Sequence, residues 1–158
     1  MKRFAFILTG VLLVGCGAKK EKEAPPPEVG VGAWAETNVW AFRVDSVKDI
    51  VTPGMDRYYE LVYLTLKNSS QAEQPLSAQV FSFVVLAEKE GEKEVRYDFD
   101  PIVSQQESEK RGWSLEAVVK PGDSTKVLLA FNLPSGVKPP LLRVTDGMGP
   151  KYAFVRLK

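Results

Sequence analysis

The chain has 158 residues, 44% of them hydrophobic and 26% charged, with a formal net charge of +1. That is enough for one domain with an apolar core, and it carries no basic footprint for nucleic acid. With no histidine and a single cysteine, Cys16, the chain lacks the usual zinc ligand sets, Ser-His-Asp and Cys-His catalysis, and an internal disulfide.

In chain order, Met1-Lys2-Arg3 is a positive start, and Phe4 to Val14 is an apolar run of eleven residues interrupted by Thr9 and Gly10. A helix that crosses a bilayer needs roughly twenty apolar residues, so this run fits the hydrophobic region of a secretory signal peptide instead. It ends in Leu13-Val14-Gly15-Cys16, which resembles the lipobox of bacterial lipoproteins. The resemblance implies cleavage before Cys16, a diacylglycerol thioether on its sulfur and acylation of the new amino group. More than one acyl chain is needed because a single chain anchors only marginally, each buried methylene contributing about 0.8 kcal/mol.

The expected division is therefore a signal peptide over 1–15, a lipidated cysteine with a tether over 16–28, and a folded domain over 29–158. The tether holds Lys19-Lys20-Glu21-Lys22-Glu23 and Pro25-Pro26-Pro27, a charged, proline-rich composition that favours extended chain. Without Lys2 and Arg3, 19 basic residues face 20 acidic ones, close to −1. The expected location is the cell envelope, reached by general secretion. There the lipid would sit in the outer face of the inner membrane or in the outer membrane. Gly17, in place of an aspartate after the cysteine, leans toward the outer membrane.

From Val29 onward the pattern is β. Trp40, Phe42 and Val44 alternate with Ala41, Arg43 and Asp45, the period of a half-buried strand. Thr52-Pro53-Gly54 breaks the chain. Tyr58 to Lys67 and Val80 to Ala87 follow as strands, and a hairpin around Glu90-Gly91-Glu92-Lys93 returns through Val95 to Phe99. Ser104-Gln105-Gln106-Glu107 has capping-box spacing, with Ser104 as N-cap and Gly112 past the end. With nothing apolar between Gln105 and Arg111, this stretch reads as a crossover loop with a turn or two. Trp113 to Val119 and Lys126 to Leu133 flank a Pro121-Gly122 turn, and Leu141 to Thr145 and Tyr152 to Leu157 close a last hairpin. About eight short, regularly spaced strands predict an all-β, immunoglobulin-like antiparallel β-sandwich.

Leu61 to Asn68, with Asn68-Ser69, Phe81 to Leu86, Gly91, Lys120-Pro121-Gly122 and Phe131-Asn132-Leu133-Pro134, resembles the telokin-like, immunoglobulin-like domains found in bacterial lipoproteins and secreted proteins. The resemblance spans most of Val39 to Leu157. It implies a sandwich fold and an envelope role, and it transfers no catalytic residues. The polar stretch from Asp100 to Arg111 departs from that pattern. A proteinase-inhibitor-like sandwich shares the Asn and Pro-Gly turns, but no inhibitory loop signature is present.

Among candidate sites, Asp98 and Asp100 offer two carboxylates without a calcium-loop spacing around them. Asp45, Asp49 and Asp56 are acids able to pair with Arg43 and Arg57. Ser108 with Lys110, and Ser124 with Lys126, have the residue types of Ser-Lys dyads and no supporting motif. Asn68-Ser69-Ser70 fits a glycosylation sequon, but a turn-forming role explains it better. No cofactor and no metal are implied. The apolar excess is more informative: Tyr59, Leu61 and Tyr63 occupy the face of their strand opposite Tyr58, Val62, Leu64 and Leu66, and Phe83-Val84-Val85-Leu86 is apolar throughout. If the two strands are neighbours, their outward face is covered by Val29 to Ala35 and the Asp100 to Gly112 segment, or it is a partner surface. The expected function is a non-catalytic, lipid-anchored module that binds a protein or an envelope component. The alternatives are an inhibitor or immunity-type lipoprotein and, further off, a hydrolase.

Overall fold

The structure is a computed structural model that describes residues 27–77, 82–87, 95–137, 141–147 and 151–157. In chain order these form β1 (Glu28–Gly30), β2 (Trp34–Glu36), β3 (Trp40–Val51), β4 (Arg57–Asn68), β5 (Gln74–Leu76), β6 (Ser82–Ala87), β7 (Val95–Asp98), α1 (Pro101–Glu109), β8 (Ala117–Val119), β9 (Ser124–Pro134), β10 (Leu141–Thr145) and β11 (Tyr152–Arg156). Three of these strands, β1, β2 and β5, have three residues each and were not expected, which is why the description exceeds the eight strands expected. The lipobox residues Leu13, Val14, Gly15 and Cys16 lie outside the described residues, as does the Glu90–Lys93 hairpin tip.

The fold is an all-β sandwich. One sheet has the order β2-β3-β4-β9, the other β1-β11-β10-β6-β7, and β5 with β8 forms a two-stranded ribbon. The core lies between the two sheets. Phe42, Val44, Val62, Leu64, Leu66, Leu129 and Phe131 from the first meet Val85, Leu142, Val144, Ala153 and Val155 from the second. Leu76 and Val119 from the ribbon join the same core. The alternation read in the sequence is thus the in–out alternation of sandwich strands.

Local chemistry sets the turns. Pro121 and Gly122 occupy the centre of a turn closed by Asp123 N–H donating to Lys120 C=O at 3.0 Å. Gly122 has φ +80°, the conformation that position i+2 of a type II turn demands and that glycine alone adopts without strain. Asn68 is fully buried. Its side-chain amide donates to Ala72 and Val119 carbonyls at 2.7 and 2.9 Å, and its oxygen accepts from Ser70 N–H at 2.9 Å. An amide held this way is a turn organiser, and its nitrogen is not presented for glycosylation.

Asp146 ties the sheets together. At the end of β10, it accepts from Thr37 Oγ1 at 2.7 Å, Asn38 N–H at 2.9 Å and Val39 N–H at 3.0 Å, all in the β2–β3 connection. Its other oxygen accepts from Asn38 Nδ2 at 2.9 Å, so one buried carboxylate serves four donors of that connection.

Two expectations change. The sheets are not wholly antiparallel, because β1 pairs with β11 in parallel, Glu28 opposite Phe154 and Gly30 opposite Arg156. No hairpin joins these strands, so nothing forces antiparallel pairing. The Asp100–Arg111 stretch, expected as a crossover loop with a turn or two, is mostly one helix: α1 runs nine residues, with Pro101 in its first turn. Its N-cap is Asp100 and not Ser104, since Asp100 Oδ1 accepts from Ile102 and Val103 N–H, each at 3.0 Å. At the other end Gly112 (φ +69°) follows the helix as expected. Gly112 N–H donates to Glu109 C=O and Trp113 N–H to Ser108 C=O, both at 3.0 Å, the bond pair of a Schellman ending.

Candidate functional site

The outer face of the β2-β3-β4-β9 sheet gathers most of the residues singled out in the sequence. β4 and β9 are buried on both faces over much of their length. Their register sets Leu61 opposite Ala130 and Tyr63 opposite Leu128. Leu61, Leu128 and Ala130 form a second, smaller apolar cluster, closed by Tyr59, Tyr63, Val103 and Trp113.

This corrects the expected neighbourhood of Tyr59, Leu61 and Tyr63. β4 does not lie beside β6, which sits in the other sheet between β7 and β10. The neighbour is β9, whose run Val127-Leu128-Leu129-Ala130-Phe131 carried the same two-faced apolar signal in the sequence. Leu61 is 1% exposed and lies beneath α1 and Trp113, so it offers nothing to a partner. Tyr59 and Tyr63 are half-buried at the margin of the cluster. The Val29–Ala35 segment takes no part in this cover, since β1 joins the other sheet and β2 adds to the edge of β3.

Helix α1 is held to the free edge of β9 by polar groups. Ala130 C=O accepts from Asp100 N–H at 2.7 Å, and Ala130 N–H donates to Ser104 Oγ at 2.8 Å. Ser108 Oγ donates to Leu128 C=O at 3.5 Å. Both serines are fully buried. An exposed edge strand would present these groups to any passing strand, and the helix removes that template. The sequence signal for this was Ser104 and Ser108 four residues apart, on one helical face.

Beyond the helix, β-sheet register builds a row across all four strands: Trp34 opposite Arg43, Arg43 opposite Thr65, and Thr65 opposite Lys126. The Arg43 guanidinium lies 5.0 Å from the Trp34 ring centroid. Asp45, two residues on from Arg43, shares its face, and the bulge between Val44 and Ser46 brings Ser46 onto that face as well, opposite Tyr63. The Asp45 carboxylate accepts from Arg43 Nε at 2.7 Å and from Thr65 Oγ1 at 2.6 Å.

At the β9 end, the Lys126 ammonium lies 5.6 Å from the Trp113 ring. Trp113 meets Tyr63 edge-on, centroids 6.2 Å apart. The Arg111 guanidinium covers Tyr63 at 5.4 Å and donates to its hydroxyl at 3.2 Å. Glu107 accepts from Lys110 and Arg111 at 2.5 and 3.0 Å. Hydrogen bonds from these two cations hold the Glu107 carboxyl below its usual range.

The remaining candidates do not converge. Asp100 is divided between capping α1 and accepting from Tyr59 OH at 3.1 Å, while Asp98 pairs with Arg96 at 3.3 Å. Burial, with the Asp100 bond second, raises the Tyr59 phenol above its ordinary pKa. Arg57 donates to the Asn132 side chain and carbonyl, both at 2.7 Å, so of the expected acid–arginine pairs the described bonds include Arg43–Asp45. Ser108 is buried against β9 while Lys110 reaches Glu107 in solvent. Lys126 is stacked on Trp113, not poised over Ser124. Among the described residues no three His, Cys, Asp or Glu side chains group as metal ligands, and no helix is long and apolar enough to cross a membrane.

Fold and site together define a β-sandwich protein with an aromatic and cationic outer sheet face. No protein-family model matches the chain, and no curated protein matches it. Among solved structures, the chain is similar in fold to the YjhA protein of Bacillus subtilis, with a TM-score of 0.56 and 12% identity over 82% of this chain and 99% of that one. An uncharacterised β-sandwich protein from Clostridium difficile 630 aligns with a TM-score of 0.46 and 12% identity, over 88% and 99% of the two chains. A candidate lipoprotein, YcdA, of Bacillus subtilis subsp. subtilis str. 168 aligns at 0.49 and 9%, over 78% and 38%.

Proposed function

We propose that the chain is a lipid-anchored envelope protein whose telokin-like sandwich is a non-catalytic binding module. The observation that carries the reading is the sequence of the leader: Lys2-Arg3, an eleven-residue apolar run, then Leu13-Val14-Gly15-Cys16, with the only cysteine of the chain at the cleavage position. A charged, proline-rich stretch between Cys16 and Pro27 separates that cysteine from the first strand. The binding role is supported by the side chains that resembled catalytic pairs. Asp45, Asp98, Asp100, Ser108, Lys110 and Lys126 are engaged with other groups of the fold, while the outer sheet face presents aromatic rings and cations in register.

The test is expression of the full chain in a bacterial host fed labelled palmitate, beside Cys16→Ser. The wild-type protein takes up label, fractionates with membranes and shows a mass starting at a modified Cys16. The serine variant takes up none. An unmodified Cys16 in the mature protein, or cleavage at another bond, overturns the anchoring.

A further inference from the structure

The outer face of the β2-β3-β4-β9 sheet has two halves. One is roofed by α1; the other is open, with Ser46, Lys48, Lys67 and Lys126 exposed and Trp34 44% exposed. Register and helix position bring six cations to this face: Arg43, Lys48, Lys67, Lys110, Arg111 and Lys126. The carboxylates placed with them are Asp45 and Glu107, each already bonded to an arginine, Glu36 at the rim on β2, and Asp100 and Glu109 at the two ends of α1, so the excess lies on the open half, where Arg43, Lys48, Lys67 and Lys126 stand with Asp45 and Glu36. A chain of net charge +1 thus concentrates positive charge on one sheet face.

We infer that this row, from Trp34 through Arg43 to Lys126 and Trp113, docks an acidic segment of another protein; the inference rests on the binding-module reading above. Charge complementarity sets the sign of the partner. The residue types are those that dominate protein interfaces, Trp, Tyr and Arg. Asp45 fixes Arg43 through Nε, and Glu107 fixes Arg111. The guanidiniums are therefore pre-positioned, and a planar fork of donors suits the carboxylates of Asp and Glu side chains. A neutral glycan would need an open ring face to stack on, whereas Trp34, Tyr63 and Trp113 each have a cation over the ring. A membrane surface would favour protruding aromatics, and Tyr63 and Trp113 are half-buried.

The row spans three inter-strand steps, about 14 Å, which an extended peptide of about eight residues covers with both ends to spare. The test uses the full chain in non-ionic detergent and a fluorescein-labelled, Glu-rich peptide of that length, read by anisotropy. Binding is expected to saturate and to weaken about tenfold from low to physiological salt. The double variant Arg43→Gln/Lys126→Gln weakens it about tenfold more, as does Lys126→Gln in part. Both keep the wild-type melting temperature, and Arg96→Gln on the opposite sheet binds as wild type. Absence of saturation, or binding indifferent to the double variant, overturns the inference. Tighter binding of a heparin fragment or of dihexanoylphosphatidylglycerol at the same residues also overturns it, in favour of a sulfated glycan or a lipid headgroup. Cys16→Ser must bind the peptide unchanged, so a failure of lipid anchoring is read separately, by the palmitate label.

Discussion

Tyr58 shows how one side chain couples the core to pH. Its hydroxyl donates to Val137 C=O at 2.7 Å. Burial pushes its pKa up to about 12, with the Glu60 and Asp49 carboxylates adding to the rise. A phenol whose pKa is higher in the fold than in the open chain favours the protonated, native state. Its contribution is therefore complete below the ordinary tyrosine value of about 10 and is lost as pH climbs toward 12. Tyr58→Phe is expected to cost about 1 kcal/mol at neutral pH, the net worth of one hydrogen bond. It should also flatten the loss of stability that the wild type shows above about pH 10. Urea unfolding of both proteins across that range checks it; parallel alkaline limbs would mean another group titrates. Nothing local in the sequence points to Val137 as the partner. The bond joins residues 79 positions apart, and such pairings exist only after the strands have found their register. Asp146 is the same case, its partners lying 107 to 109 positions upstream.

At the scale of the element, α1 contradicts the rule by which its sequence was read. A surface helix is expected to bury an apolar stripe, and this one buries Ser104 and Ser108 while Ile102 is exposed. The polar groups go inward because β9 is a strand edge, and Ala130 N–H and the Ala130 and Leu128 carbonyls need partners. Hydrophobic periodicity cannot detect a helix whose docking is made of hydrogen bonds. Gly112 was legible because a helix end imposes a backbone conformation on one residue. Asp100 was not, because Ser104 and Glu107 offered a competing capping box four residues further in. Ser104→Ala leaves the buried Ala130 amide without its acceptor and is expected to cost roughly 2 kcal/mol, more than a truncation of a single exposed hydroxyl. Hydrogen exchange at the Ala130 amide is the direct readout. Protection there should fall in the variant, and protection that stays at the wild-type level would show that α1 is held by other means.

Among the described residues, the two large sheets of the molecule can be read as a solution to four strand edges. β1 and β7 bound one sheet, β2 and β9 the other. β9 is covered by α1, β2 is three residues long, and β7 carries Arg96 and Asp98, all recognised ways of blunting an edge. β1 is the fourth device, and it joins the chain's N-terminal side to its C-terminal strand. Phe154 N–H donates to Pro27 C=O at 3.0 Å, and Arg156 pairs with Glu28. The alternation of β3 was plain from the sequence because an inner and an outer face impose a period of two. The parallel β1 was not, because three residues hold too little pattern and their partner lies at the other end of the chain. Removing residues 1–30 should leave the two-sheet core intact yet uncover the β11 edge. The shortened protein is expected to lose about 1–2 kcal/mol, near the worth of the partly buried Val29 side chain and its strand bonds. It should also associate as concentration rises, since a bare edge pairs with its own copies. Urea unfolding reports the first effect and sedimentation velocity the second. A shortened chain that stays monomeric would mean that Arg156, with Glu28 gone, is charge enough to guard the edge, and that β1 serves to fix where the preceding chain leaves the domain.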